Sequence, residues 1–169
     1  ALNPVAAPAA APKPPAAAKA GDAVPSAGVE RTVVILRPDA VRRGLISEIC
    51  KRFERRGFSL VAMKMIKPGG ELASKHYAPL LAHCARSEVA DAANAIASEP
   101  CVATCWKGPS AISAILTMVG DDDPAAALPG TIRGDLALAA ADSLVECADS
   151  AEESSRLEGV WFEASELCE

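Results

Sequence analysis

The globular pattern of the chain opens at "RTVVIL" (31–36), a continuous β-branched run that predicts a buried strand. "RPDAVRRG" (37–44) reads as a turn. From Leu45 to Arg56, the side chains of Leu45, Ile46, Ile49, Cys50 and Phe53 fall on one helical face. Arg52, Arg55 and Arg56 fall on the other, and Gly57 supplies a C-terminal stop. "FSLVAMKMI" (58–66) alternates as a strand and "PGG" breaks it. Helical character spans residues 71–97, interrupted at Pro79. "CVATCW" (101–106) predicts a third strand, and residues 110–120 a short helix stopped by Gly120. "DDDPAAALPGTIRGD" (121–135) reads as a loop, "SLVEC" (143–147) as the fourth strand, and "DSAEESSRL" (149–157) as a helix with an acidic start. This order predicts an α+β domain over residues 29–169. Its expected form is a ferredoxin-like antiparallel four-stranded sheet with helices on one face.

Residues 1–28 form a separate region. Eighteen of those 28 residues are Ala or Pro, which favours extended chain with almost nothing to bury. We expect this tail to anchor the domain to protein partners in a larger assembly. The start at Ala1 fits either removal of Met or cleavage of an organellar leader, and the expected compartment is the mitochondrion, with plastid, cytoplasm and axoneme as alternatives.

A net charge of −5 and only 4% aromatic residues argue against a nucleic-acid binder. No apolar run is long enough to span a bilayer. The six cysteines contain no CxxC, and Cys101 and Cys105 lie too far apart along one strand to share a metal ion or a disulfide. His76 and His83 have no zinc-like spacing to Cys84. These patterns predict reduced thiols, no metal site and no cofactor.

From Glu30 to Leu167 the chain resembles the nucleoside diphosphate kinases. The likeness is carried by "ERTVVILRPDAVRRGLISEICKRFERRGFSLVAMKM", "HYAPL", "LPGTIRGDLAL", "ADS" and "GVWF". It implies the ferredoxin-like fold and a tendency to form homo-oligomers, which we leave open here. Members of the family carry a phosphoryl group between Mg-bound nucleotides through a phosphohistidine. That chemistry needs a nucleophile, cations around the transferred oxygens and a clamp for the base.

At the position aligned with the family's histidine this chain has Glu146. The family's phosphate-contacting lysine falls on Arg37, an arginine on Leu116, a threonine on Asp122 and the ribose-contacting asparagine on Ser143. Residues 84–90 offer no aromatic for the base clamp. Tyr77 and Arg133 match the family. Arg37, Tyr77, Asp122, Arg133, Ser143 and Glu146 therefore outline a vestigial nucleotide pocket with no catalytic residue. In this reading Glu146 pairs with a leftover arginine, Arg37 and Arg133 hold the loop shut, and the domain is a non-catalytic accessory subunit. The alternatives are a nucleotide-binding regulatory module or a residual phosphotransferase, since carboxylates also form acyl phosphates. The basic face Lys51, Arg52, Arg55 and Arg56 and the acidic end "EASELCE" are expected to be solvated.

Overall fold

A computed structural model describes residues 28–139 and 143–168. The expectation of an anchoring tail falls on residues 1–28, which lie outside the described residues except for Gly28. The strands are β1 (Val29–Leu36), β2 (Ser59–Ile66), β3 (Cys101–Pro109) and β4 (Val145–Cys147). The helices are α1 (Pro38–Arg42), α2 (Ile46–Arg56), α3 (Gly70–Tyr77), α4 (Arg86–Ser98), α5 (Ala111–Val119), α6 (Ile132–Leu136) and α7 (Ala151–Trp161). The sheet order is β2-β3-β1-β4 and every pairing is antiparallel. The expected α+β, ferredoxin-like sheet is thus present.

One detail differs. Helices cover both faces of the sheet, not one. Val33, Ile35, Cys101, Ala103 and Cys105 join one apolar cluster with Ala73, Ile96, Leu157 and Trp161, contributed by α3, α4 and α7. Val34, Leu36, Val102 and Trp106 join another with Ile49, Phe53, Ile115 and Ile132, contributed by α2, α5 and α6. A strand buried on both faces has no polar side, which is why "VVIL" runs unbroken instead of alternating.

Two stretches without helical periodicity nevertheless form short helices. Pro38 at the first helical position presets the backbone for α1 within the expected turn. In the expected 121–135 loop, Thr131 caps α6: its hydroxyl accepts from the Gly134 N–H at 3.0 Å and donates to the Leu128 carbonyl at 2.6 Å. Gly134 has to lack a side chain, because a Cβ there would lie 2.2 Å from the Leu128 oxygen. Pro79 starts a 3₁₀ turn (Ala78–Ala82) between α3 and α4, as an interruption there requires.

The two expected solvated surfaces are partly tied down. Arg52 Nη1 bonds the Asp135 carboxylate at 2.8 Å and the Thr131 carbonyl at 3.2 Å, fastening α2 to α6. Lys64 holds Glu166 at 2.6 Å, and the Cys168 N–H donates to the Val61 carbonyl at 2.9 Å, so the acidic end lies against β2.

The second cluster centres on Phe53 and Trp106, both fully buried and packed edge to face at a centroid distance of 5.2 Å. Phe53→Ala should lower unfolding free energy by about 3–5 kcal/mol. Urea denaturation measures this, and a loss below about 1 kcal/mol would mean that the pair does not hold α2 to the sheet.

Candidate functional site

The site forms where β1 ends and β4 begins. Glu146 lies opposite Ile35 in the β1–β4 register, on the face covered by α3 and α7. Arg37 follows two residues after Ile35 in extended backbone. The last turn of α3 supplies His76 and Tyr77, both buried.

Three side chains converge on the Glu146 carboxylate. Arg37 Nη1 donates to Oε1, and the Tyr77 hydroxyl donates to the same oxygen at 2.6 Å. Arg37 Nη1 also donates to the Tyr77 oxygen at 2.9 Å. His76 Nε2 lies 2.6 Å from Oε2. A carboxylate with only 21% of its side chain exposed needs such donors to remain ionised.

His76 is fixed from behind. Trp161 Nε1–H donates to His76 Nδ1 at 3.0 Å. Indole nitrogen can only donate, so Nδ1 is unprotonated, Nε2 carries the proton and donates to Glu146. The ring is therefore neutral. Burial pushes the His76 pKa down from 6.5 to about 4, with the Arg156 guanidinium adding to the shift, Glu153 opposing it and Arg37 contributing further. Arg156 also donates to the Lys75 and His76 carbonyls, each at 2.8 Å, capping the end of α3. Burial likewise raises the Tyr77 pKa.

The turn that presents Glu146 is strained. Leu144 sits at φ +57°, and the Val145 N–H donates to the Ser143 carbonyl at 2.6 Å, closing a γ-turn. Asp39 on α1 accepts from the Leu144 N–H at 2.9 Å, and the Arg37 N–H donates to the Leu144 carbonyl at 2.8 Å.

Beside this cluster opens a cleft of about 430 Å³, lined by Tyr77, Leu116, Asp122, Arg133, Ser143 and Glu146 among others. Five of the six residues picked from the sequence thus line one cavity, and Arg37 reaches it through Glu146. The expected Arg37–Glu146 pair is present. Arg133 makes an ion pair as expected, and backbone contacts besides. It donates to the carbonyls of Gly120 (2.8 Å), Val145 (2.9 Å) and Ser143 (3.2 Å), and it meets the exposed Asp122 at 2.9 Å. Its buried guanidinium braces the strained turn against the 120 loop, and the pocket stays open. Among the described residues no group of His, Cys, Asp or Glu is arranged to hold a metal ion. Burial pushes the Cys147 thiol, at the cleft wall, up to about 11, which leaves it a poor nucleophile at neutral pH.

His76, Trp161 and Arg156 are not among the residues that the sequence singles out for this pocket, although His76 adjoins Tyr77 and Trp161 lies in the "GVWF" stretch.

The model for "Nucleoside diphosphate kinase" matches residues 30–167. This chain belongs to the nucleoside diphosphate kinase family. It is 43% identical over 138 residues to a nucleoside diphosphate kinase of Synechococcus sp. (strain WH7803), covering 82% of this chain and 89% of that protein. It is 40% identical over 140 residues to nucleoside diphosphate kinase II, chloroplastic, of Arabidopsis thaliana, covering 83% of this chain but only 59% of the longer plant protein. Among solved structures, the Borrelia burgdorferi nucleoside-diphosphate kinase with bound vanadate and ADP, a transition-state mimic, matches with a TM-score of 0.78 at 28% identity, covering 83% of this chain and 91% of that one.

These relatives correct the expectation of a non-catalytic accessory subunit. They are kinases by name and similar over nearly the whole folded domain. The mitochondrial expectation gains no support, since two relatives with an organellar name, from Arabidopsis thaliana and Spinacia oleracea, are chloroplastic.

The neutral state of His76 predicts a pH dependence. Its folded value lies below its unfolded one, so its contribution to stability is fully present above pH 6.5 and is lost as pH falls toward 4. A shift of this size corresponds to about 3 kcal/mol. Urea titrations between pH 7.5 and 4 should show a steeper loss for the unaltered protein than for His76→Gln; parallel curves would contradict a buried neutral imidazole.

Proposed function

We propose that the domain moves the terminal phosphoryl group of a nucleoside triphosphate to a nucleoside diphosphate, slowly, with the Glu146 carboxylate as the transient acceptor. The observation that carries this reading is the placement of Glu146: it lines the wall of the cleft, gripped by Arg37, Tyr77 and His76, at the position that the family resemblance aligns with histidine. The ADP and vanadate of the Borrelia relative support a nucleotide as the occupant.

An ionised carboxylate is a competent phosphoryl acceptor and needs no base to activate it. The substrate is taken as its magnesium complex. Arg37, Nη1 of which already faces Oε1, is the cation nearest to the developing charge. Tyr77 steadies the same oxygen.

Slow turnover follows from the altered lining. Leu116 brings no charge where the family places an arginine, and Asp122 brings a negative one. A carboxylate about 4 Å from a phosphate oxygen is repelled by about 4 kcal/mol at an effective dielectric of about 20, on the order of a thousandfold in affinity or rate. Pairing with Arg133 offsets part of this. The chloroplastic relatives favour the plastid, one of the alternatives, as the compartment.

Incubation of the full chain with γ-labelled ATP and Mg²⁺ tests the reading. Label should appear on Glu146, be released by hydroxylamine or base, pass to added nucleoside diphosphate and be absent from Glu146→Gln. No label at millimolar nucleotide overturns it. A nucleotide-dependent rise in melting temperature without label would instead assign a regulatory binding role, and base-stable, acid-labile label would move the acceptor to a histidine.

A further inference from the structure

The two oxygens of Glu146 are not equivalent. Oε1 accepts from both Arg37 and Tyr77, one donor for each of its two lone pairs. Among the described residues, Oε2 accepts only from His76. One lone pair on Oε2 therefore stays uncommitted, on a residue that lines the cleft.

We infer that Oε2 is the atom that receives the phosphoryl group, and that His76, held by Trp161, is the positioning residue that aims it. This rests on the phosphotransfer reading above and names the device within that site. As the Oε2 lone pair forms the new O–P bond, the bridging P–O bond to the β-phosphate breaks. Its electron pair leaves with the nucleoside diphosphate. No proton changes hands. The reverse sequence on a second nucleoside diphosphate regenerates the carboxylate.

The neutral imidazole suits this task. Its single N–H fixes Oε2 without giving up a proton, so the carboxylate keeps the charge that makes it nucleophilic. An imidazolium would press an Nδ1–H against the Trp161 N–H at 3.0 Å. The charged groups around the ring are Glu146, Glu153, Arg37 and Arg156; burial and the two guanidinium groups lower the His76 pKa and Glu153 raises it, and the Trp161 N–H at Nδ1 is what fixes the neutral form. The ring planes of Tyr77 and Trp161 stand edge to face with the imidazole at 4.6 and 5.5 Å and pack it on two sides. His76 touches no atom of the nucleotide; it donates to the attacking oxygen. It acts through Glu146.

Two measurements on the full chain test this. The first is ¹⁵N NMR of labelled histidine at pH 7. His76 should show a protonated Nε2 and a bare Nδ1, the Nε2 signal should move in Glu146→Gln, and Trp161→Phe should let the Nδ1–H form appear. An imidazolium or a protonated Nδ1 in the unaltered protein overturns the inference. The second is the rate of hydroxylamine-sensitive labelling from γ-labelled ATP. His76→Leu should lower that rate at saturating nucleotide at least tenfold with less than a threefold change in KM, and His76→Gln, which restores an N–H donor, should recover most of it. Melting curves verify that both variants fold, and if His76→Leu does not, Trp161→Phe serves in its place, with a rate reduced at least threefold. Labelling unchanged by these substitutions defeats the positioning role but leaves Glu146 as acceptor. Absence of label in the unaltered protein defeats both.

Discussion

A half-buried carboxylate that must keep its charge is the constraint on which this site is built. Removing such a group from water costs several kcal/mol unless donors replace the lost hydration. Here the donors come from separate elements: Arg37 from the end of β1, His76 and Tyr77 from α3. Trp161 and Arg156 on α7 hold α3 in turn. The carboxylate therefore ties three parts of the fold to one point. The strained turn at Leu144 aims it, and Asp39 and Arg133 keep that turn from relaxing.

The same grip sets the limits of the chemistry. Arg37 serves both the carboxylate and any phosphate that enters, so a nucleotide must share a cation that is already engaged. Arg133 is likewise engaged, by three backbone carbonyls and by Asp122. Family kinship and a gripped carboxylate support the proposed phosphotransfer, which Leu116 and Asp122 would slow.

Most of the fold was legible because its elements carry strong local signals. The helical stripe that ends at Gly57 became α2, and Pro79 marked the break between α3 and α4. What periodicity cannot reveal is which faces a strand buries when both are apolar, and this hid the second helical layer. Helix α6 was hidden because its start depends on one Thr131–Gly134 hydrogen bond within a stretch rich in Pro and Gly. The site was legible residue by residue through the family resemblance, yet its wiring was not. His76 and Trp161 lie 85 positions apart, and only the folded chain puts Nδ1 against the indole. The expectation of a retired scaffold rests on lost contacts and added negative charge at aligned positions, and the kinase relatives overturn it.

The most direct measurement is a crystal structure of the full chain with a non-hydrolysable triphosphate and Mg²⁺. The account predicts a γ-phosphate in the cleft, in line with Oε2, while His76 and Tyr77 keep their bonds to Glu146. A triphosphate that seats elsewhere, or one that draws Arg37 away and leaves the carboxylate swung out of the cleft, would contradict it.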